Sequence, residues 1–226
     1  MGVPPSVDII DAMKHLVLVR HGESQLNVVN KEKRVYCGQI DTHLTDFGRV
    51  QAADAGKRLR SLDYLRLRRA VASPLQRAHE TLSLMLNGHG DDILRLPHHP
   101  EFMERSHGEF EGLSDEEAFA RFPHYRDDPN FAEFMNTYDR CAPGGETLAM
   151  VSARAWPAIN RLMREDGDLL VVSHYNTIRC IIGQALGLSP QQIVQISIPN
   201  AVPIVLRHRQ PEEGFELIEG LQPTWN

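Results

Sequence analysis

Two continuous apolar runs, Leu16-Val17-Leu18-Val19 and Leu169-Leu170-Val171-Val172, constrain this chain more than any other feature. Four apolar residues in a row leave no polar face for solvent, so each run suits a strand covered on both sides, as in a parallel sheet between helices. Each run leads to a histidine, the first through Arg20 to His21 and the second through Ser173 to His174. A shorter strand over residues 69–73 feeds a helix through Pro74, with Leu75, Ala78, Leu82, Met85 and Leu86 at helical spacing. After the second run, Ile178, Ile181, Ile182, Ala185 and Leu186 share one helical face, and Gly187 supplies a stop. Further helices are predicted over residues 46–59 and 146–163, the second interrupted or kinked at Pro157. Short strands are predicted over 194–198 and 203–207, where Pro199 and Pro203 confine them to sheet edges or strand ends. Residues 87–100 and 122–129 read as loops, the second placed to carry a lid.

The 226 residues suffice for one full core, so a single domain over 1–226 is expected, with residues 1–13 as a flexible tail. A net charge of -6 argues against nonspecific nucleic-acid binding, which needs clustered cations. An anionic substrate therefore requires a local positive pocket. The chain has no run of 18 apolar residues, and its start lacks the cationic, apolar and small-residue order of a signal peptide, so a cytoplasmic protein is expected. Cys37, Cys141 and Cys180 are odd in number and widely spaced, and read as reduced thiols. The opening Met-Gly-x-x-x-Ser fits a loose myristoylation pattern, but Pro4 and Pro5 follow at once and count against it.

Three strand-to-helix junctions place a cation or imidazole at a strand's end: Arg20 with His21, Arg77 in the turn after Ser73, and His174. If the strands are parallel, all three lie on the sheet edge where open α/β proteins bind ligands, and helix N-termini there favour a phosphate. Phosphoryl transfer needs an in-line nucleophile and donors around the equatorial oxygens. An unprotonated ring nitrogen of His21 would attack phosphorus while Arg20, Arg77 and His174 hold the oxygens. A leaving alkoxide also needs a proton, which a carboxyl group on a loop over the site can supply.

Spacing alone does not select these residues from 11 histidines and many arginines. Residues 16–27 (LVLVRHGESQLN) resemble the Arg-His-Gly signature of the histidine phosphatase superfamily, which includes cofactor-dependent phosphoglycerate mutases and many phosphatases. Residues 38–48 (GQIDTHLTDFG), 73–81 (SPLQRAHET), 103–113 (MERSHGEFEGL), 143–148 (PGGETL) and 171–174 (VVSH) agree with it in the same order. The resemblance implies an α/β fold, a three-layer αβα sandwich with a mostly parallel central sheet. It also implies that His21 is phosphorylated, that Glu104 gives and takes the proton, and that Arg20, Arg77 and His174 line the phosphate pocket. Gly22, Ser24, Asn27, Cys37, Gly38, His107, Tyr175 and Asn176 would complete the phosphate and substrate site. No cofactor and no metal are expected. His98-His99 lacks a carboxylate or cysteine at ligand spacing, the basic residues Lys57, Arg58, Arg60, Arg66, Arg68 and Arg69 read as a solvated face, and Trp156 reads as a core anchor.

What accepts the phosphoryl group from His21 is less constrained. Glu104-Arg105 with Gly108, Asn176, and Ile198-Pro-Asn-Ala-Val-Pro-Ile-Val205 resemble the mutases. However, Met135 and Asn136 stand where the mutases carry an arginine pair, Ser114 and Asp115 where they carry a lysine, and His107 where they carry a tyrosine. Losing charged donors costs a doubly anionic substrate roughly 1.5–3 kcal/mol per bond. Tyr175 replaces the usual glycine after the second histidine, where a phenol would crowd or cap the pocket or point away from it. The expectation is a metal-independent phosphomonoesterase acting on a small phosphorylated metabolite, without nucleic-acid or membrane partners and with a homodimer left open. The alternatives are a 2,3-bisphosphoglycerate-dependent phosphoglycerate mutase and an inactive module that binds phosphorylated ligands or proteins.

Overall fold

The computed structural model describes residues 13–90, 92–128, 134–208 and 214–222. The two apolar runs form β1 (Lys14–Arg20) and β4 (Asp168–Ser173), which pair in parallel at the centre of a six-stranded sheet. β2 (Leu67–Ala72) and the two-residue β3 (Leu94–Arg95) extend the parallel part beyond β4. On the other side of β1, β5 (Ile204–His208) and β6 (Phe215–Glu219) run antiparallel, giving the order β3-β2-β4-β1-β5-β6.

Alternate residues of the central strands enter opposite cores. Leu16, Leu18, Leu169 and Val171 face α6 (Leu148–Leu162) and α7 (Tyr175–Leu186). Val17, Val19, Leu170 and Val172 face α2 (Asp46–Arg60) and α3 (Gln76–Met85). Each of these eight strand side chains is fully buried, and at about 1.5–3 kcal/mol apiece their burial fixes the sheet between two helical layers. The expected three-layer sandwich is the observed fold. A small satellite core of Tyr36, Phe110, Ala118, Phe134 and Ala142 lies outside both layers, carried partly by α4 (Asp115–Arg121) and α5 (Pro123–Asp127).

The structure corrects several sequence expectations. Residues 194–198 are not a strand: Val194 and Gln195 close α8 (Pro190–Gln195), whose N-cap Ser189 and Gln192 bond reciprocally. Ile196 and Ile198 are buried without being strand residues. The strand expected over 203–207 is β5, with Pro203 just before its start as a strand-end proline; β6 lies beyond it, so it is not the sheet edge. β3 lies within the expected loop 87–100, and α5 occupies most of the expected loop 122–129. α6 runs through Pro157 without a break, with the proline on its exposed side. Arg69 leaves the solvated basic set: it is buried, and its guanidinium bonds to the carbonyls of Leu162, Glu165 and Gly167. Trp156 is half-buried against Phe215. No helix among the described residues is long and apolar enough to cross a membrane. The expected tail and the myristoylation pattern lie outside the described residues except for Met13.

Candidate active site

Parallel register places the ends of β1, β2 and β4 together. Arg20 pairs with Ser173 and Ala72 with Val172, while the His21 N–H donates to the Ser173 carbonyl at 3.0 Å and the Ser73 N–H to the Val172 carbonyl at 3.0 Å. The imidazoles of His21 and His174 therefore meet at the C-terminal edge of the sheet, with ring centroids 5.2 Å apart.

His21 is 4% exposed, and its Nδ1 lies 2.7 Å from the Gly22 carbonyl oxygen. A carbonyl only accepts, so Nδ1 carries the proton and Nε2 keeps its lone pair. Arg77 Nε donates to that Nε2 at 3.2 Å. Burial, reinforced by the nearby Arg77 and Arg20 charges, holds His21 well below the ordinary imidazole value, which keeps it neutral near pH 7. The backbone around it is fixed from three sides. Thr81 Oγ1 accepts from the Gly22 N–H at 3.0 Å and donates to the Arg77 carbonyl at 2.7 Å, and Asn200 Nδ2 donates to the His21 carbonyl at 2.8 Å.

Arg77 is oriented by the carbonyls of Ile40 (2.7 Å) and Gly38 (3.0 Å). Gly38 has φ +44, and a Cβ there would lie 2.3 Å from the Glu111 carboxylate, so this turn requires glycine. Arg20 donates to the Ile198 carbonyl at 2.9 Å and lies 5.2 Å from the Tyr175 ring centroid. Burial lowers the pKa of both guanidinium groups. His174 is fully buried, bonded through Nε2 to Ser73 Oγ at 2.8 Å, and burial with the Arg77 charge keeps it neutral as well. Arg20 Nε and His174 Nδ1 are buried without a protein partner, a condition that costs about 1–3 kcal/mol each.

Glu104 is 9% exposed and is held by backbone amides. Its Oε1 accepts from the N–H groups of Arg105 (2.8 Å) and Asn176 (3.1 Å), while Oε2 receives only a longer contact from Asn176 (3.3 Å). Asn176 lies in the first turn of α7, so the positive end of that helix faces the carboxylate. Gln39 and Arg154 bond to the Glu104 carbonyl at 2.8 and 3.1 Å and fix its loop.

These groups surround one cleft of about 170 Å³, and every expected site residue lines it except Gly22 and the fully buried His174. Gly22, expected to complete the phosphate site, does not line the cleft and donates its N–H to Thr81; its lack of a side chain lets Gly48 approach, since a Cβ would lie 2.3 Å from the Gly48 carbonyl oxygen. Ser24 and Asn27 bond reciprocally as the capping box of α1 (Gln25–Glu32). Burial raises the Cys37 thiol pKa, so this thiol is not a reactive thiolate. Burial, with Arg105 and Arg179 nearby, lowers His107 to about 3. The Tyr175 hydroxyl donates to the Ile196 carbonyl at 3.2 Å, so its ring, and not a capping hydroxyl, faces the cleft. Sequence reading gave no role to Thr81, Asn200, Glu111 or Tyr36. The first three lie within or beside the quoted motifs, but their contacts come from long-range packing. A larger cleft of about 670 Å³ at the opposite end of the strands contains the His15–Asp168 pair (3.1 Å), but none of the expected site residues. Among the described residues no three His, Cys, Asp or Glu side chains are grouped to hold a metal ion.

A profile of the histidine phosphatase superfamily (branch 1) matches residues 16–219. A 2,3-bisphosphoglycerate-dependent phosphoglycerate mutase of Brucella melitensis is 33% identical over 196 residues, covering 85% of this chain and 91% of that protein. A mycobacterial glucosyl-3-phosphoglycerate phosphatase superposes with a TM-score of 0.73 at 24% identity, covering 91% of this chain and 97% of the other. The α-ribazole phosphatase of Shigella flexneri superposes with a TM-score of 0.76 at 22% identity, covering 94% and 98%. At these identities the two structures speak for the fold alone.

Proposed function

This chain belongs to the histidine phosphatase superfamily, and we propose that within it the protein is a phosphomonoesterase working through a phosphohistidine at His21. The observation that carries this reading is the His21 tautomer: Nδ1–H is fixed on the Gly22 carbonyl, and Nε2 faces Arg77 as a neutral lone pair in the cleft that Glu104 closes. In the first step Nε2 forms a bond to phosphorus as the ester P–O bond breaks, and Glu104 passes its proton to the leaving oxygen. Oε2, the less engaged oxygen, is the one free to carry that proton. Arg20 and Arg77, which line the cleft, neutralise the charge spreading over the phosphoryl oxygens. In the second step water attacks phosphorus, gives its proton to Glu104, and the P–N bond returns its electron pair to Nε2.

The curated relatives favour a second reading, a phosphoglycerate mutase. Against it, Met135 lines the cleft where carboxylate recognition would call for a cation. A panel of phosphomonoesters assayed for phosphate release, with 3-phosphoglycerate isomerisation followed in parallel with and without 2,3-bisphosphoglycerate, separates the two. Phosphate release without isomerisation is expected; bisphosphoglycerate-dependent isomerisation faster than hydrolysis would establish the mutase. The guanidinium groups supply the positive charge in this mechanism, so activity is expected to survive a chelator. Loss on chelation with recovery on adding a divalent metal would contradict it.

A further inference from the structure

The floor and roof of the cleft differ in chemistry. The floor is the sheet edge with His21, Arg20 and Arg77; the roof is formed by Tyr36 and Met135 of the satellite core and by His107, whose ring packs on Tyr36 and Phe134, with Leu26 and Val35 beside it. Arg20 and Arg77 are the only cations among the described residues that line it. Other nearby guanidinium groups are committed elsewhere. Arg105 bonds to the carbonyls of Glu146 (2.7 Å) and Arg140, Arg154 to Glu146 Oε1 (2.7 Å), and Arg179 to the Val194 carbonyl (3.3 Å). Lys31, in an adjoining open cleft, is paired with Glu23 at 2.5 Å.

The roof is a surface of rings and a thioether. Tyr36 stacks on Phe134 with centroids 5.6 Å apart, and His107 meets Tyr36 edge-on at 5.7 Å. Its one polar side chain with unsatisfied capacity is His107, which is 4% exposed, neutral at pH 7, and has a buried Nδ1 without a protein partner. A second anionic group on a substrate would be desolvated against this wall with no cation to receive it. A flat or branched apolar group would bury its surface there at no such cost.

Resting on the phosphomonoesterase reading, we propose that the substrate class is monophosphate esters whose alcohol is small, uncharged and largely apolar, with that group packed against Tyr36, His107 and Met135. Phosphorylated carboxylic acids and bisphosphates fall outside it.

Binding of two non-hydrolysable phosphonates by calorimetry tests this apart from turnover. Benzylphosphonate is expected to bind at least about tenfold more tightly than 2-carboxyethylphosphonate, the effect of burying one ring against an unpaired carboxylate. Met135→Arg is expected to narrow or reverse that ratio by supplying the missing cation. Equal or tighter binding of the carboxyethyl compound to the unaltered protein would overturn the proposal. In parallel, phosphate release from benzyl phosphate and 3-phosphoglycerate, both primary alkyl esters, should favour the benzyl ester by a similar factor. If neither ester nor an aryl phosphate releases phosphate, the phosphomonoesterase reading fails whatever the phosphonates show.

Discussion

Single contacts set the chemistry at His21 and Glu104. If Glu104 protonates the leaving oxygen, Glu104→Gln removes that proton while keeping an acceptor for the Arg105 and Asn176 amides. Turnover of an alkyl phosphate should then fall by about 100-fold or more, and that of an activated aryl phosphate much less. Equal losses on both would count against Glu104 as the acid. Two small residues carry structural predictions. A Cβ on Gly48 would lie 2.0 Å from the Glu23 carbonyl oxygen, a backbone atom that cannot move without disturbing the segment after His21. Gly48→Ala should cost about 2 kcal/mol or more in denaturant unfolding and lower activity as well. Ala201 has φ +52, the left-handed region disfavoured for a side chain, and its N–H donates to the Arg20 carbonyl at 2.9 Å. Ala201→Gly should raise stability by about 0.5–1 kcal/mol, read as a higher melting temperature; a lower one would mean that its buried methyl outweighs the strain.

Elements were legible where burial was complete. β1, β4 and α7 announced themselves because both faces of the strands and most of the helix are buried, so apolar residues recur without interruption. α1 gave no such signal because it has no buried residue, and only its Ser24-Asn27 capping box marks it. At α8 the alternation of Val194, Ile196 and Ile198 imitates a strand, while the Ser189-Pro190 start and Gln192 favour a helix locally. β6 is short and half-exposed, and its pairing with β5 is a long-range choice. The site was readable through the order of its motifs and not through spacing. His21, Arg77 and His174 come from distant segments, and only the parallel register of β1, β2 and β4 brings them together. The amide grip on Glu104 by α7 likewise has no local sequence signal.

For the whole molecule, several histidines are buried in the neutral form, which links stability to pH. His21 and His174 are held well below 6.5, and His107 near 3, so the unfolded chain binds more protons than the folded one once pH drops below about 6.5. Stability should therefore be complete above that value and fall as pH falls, with His107 contributing up to about 1.4 kcal/mol per unit down to its folded value. Chemical denaturation from pH 7.5 to 5 should show this slope, and His107→Gln should flatten it; an unchanged slope would mean that His107 is not neutral and buried in solution. The proposed mechanism turns on one covalent bond, between phosphorus and His21 Nε2. The most direct measurement is to quench the enzyme with a labelled phosphomonoester and locate the label by peptide mapping. The predicted result is one phosphoryl group on His21, labile in acid, stable in alkali and absent from His21→Ala; an acid-stable label, a label on another residue, or full turnover by His21→Ala would contradict it.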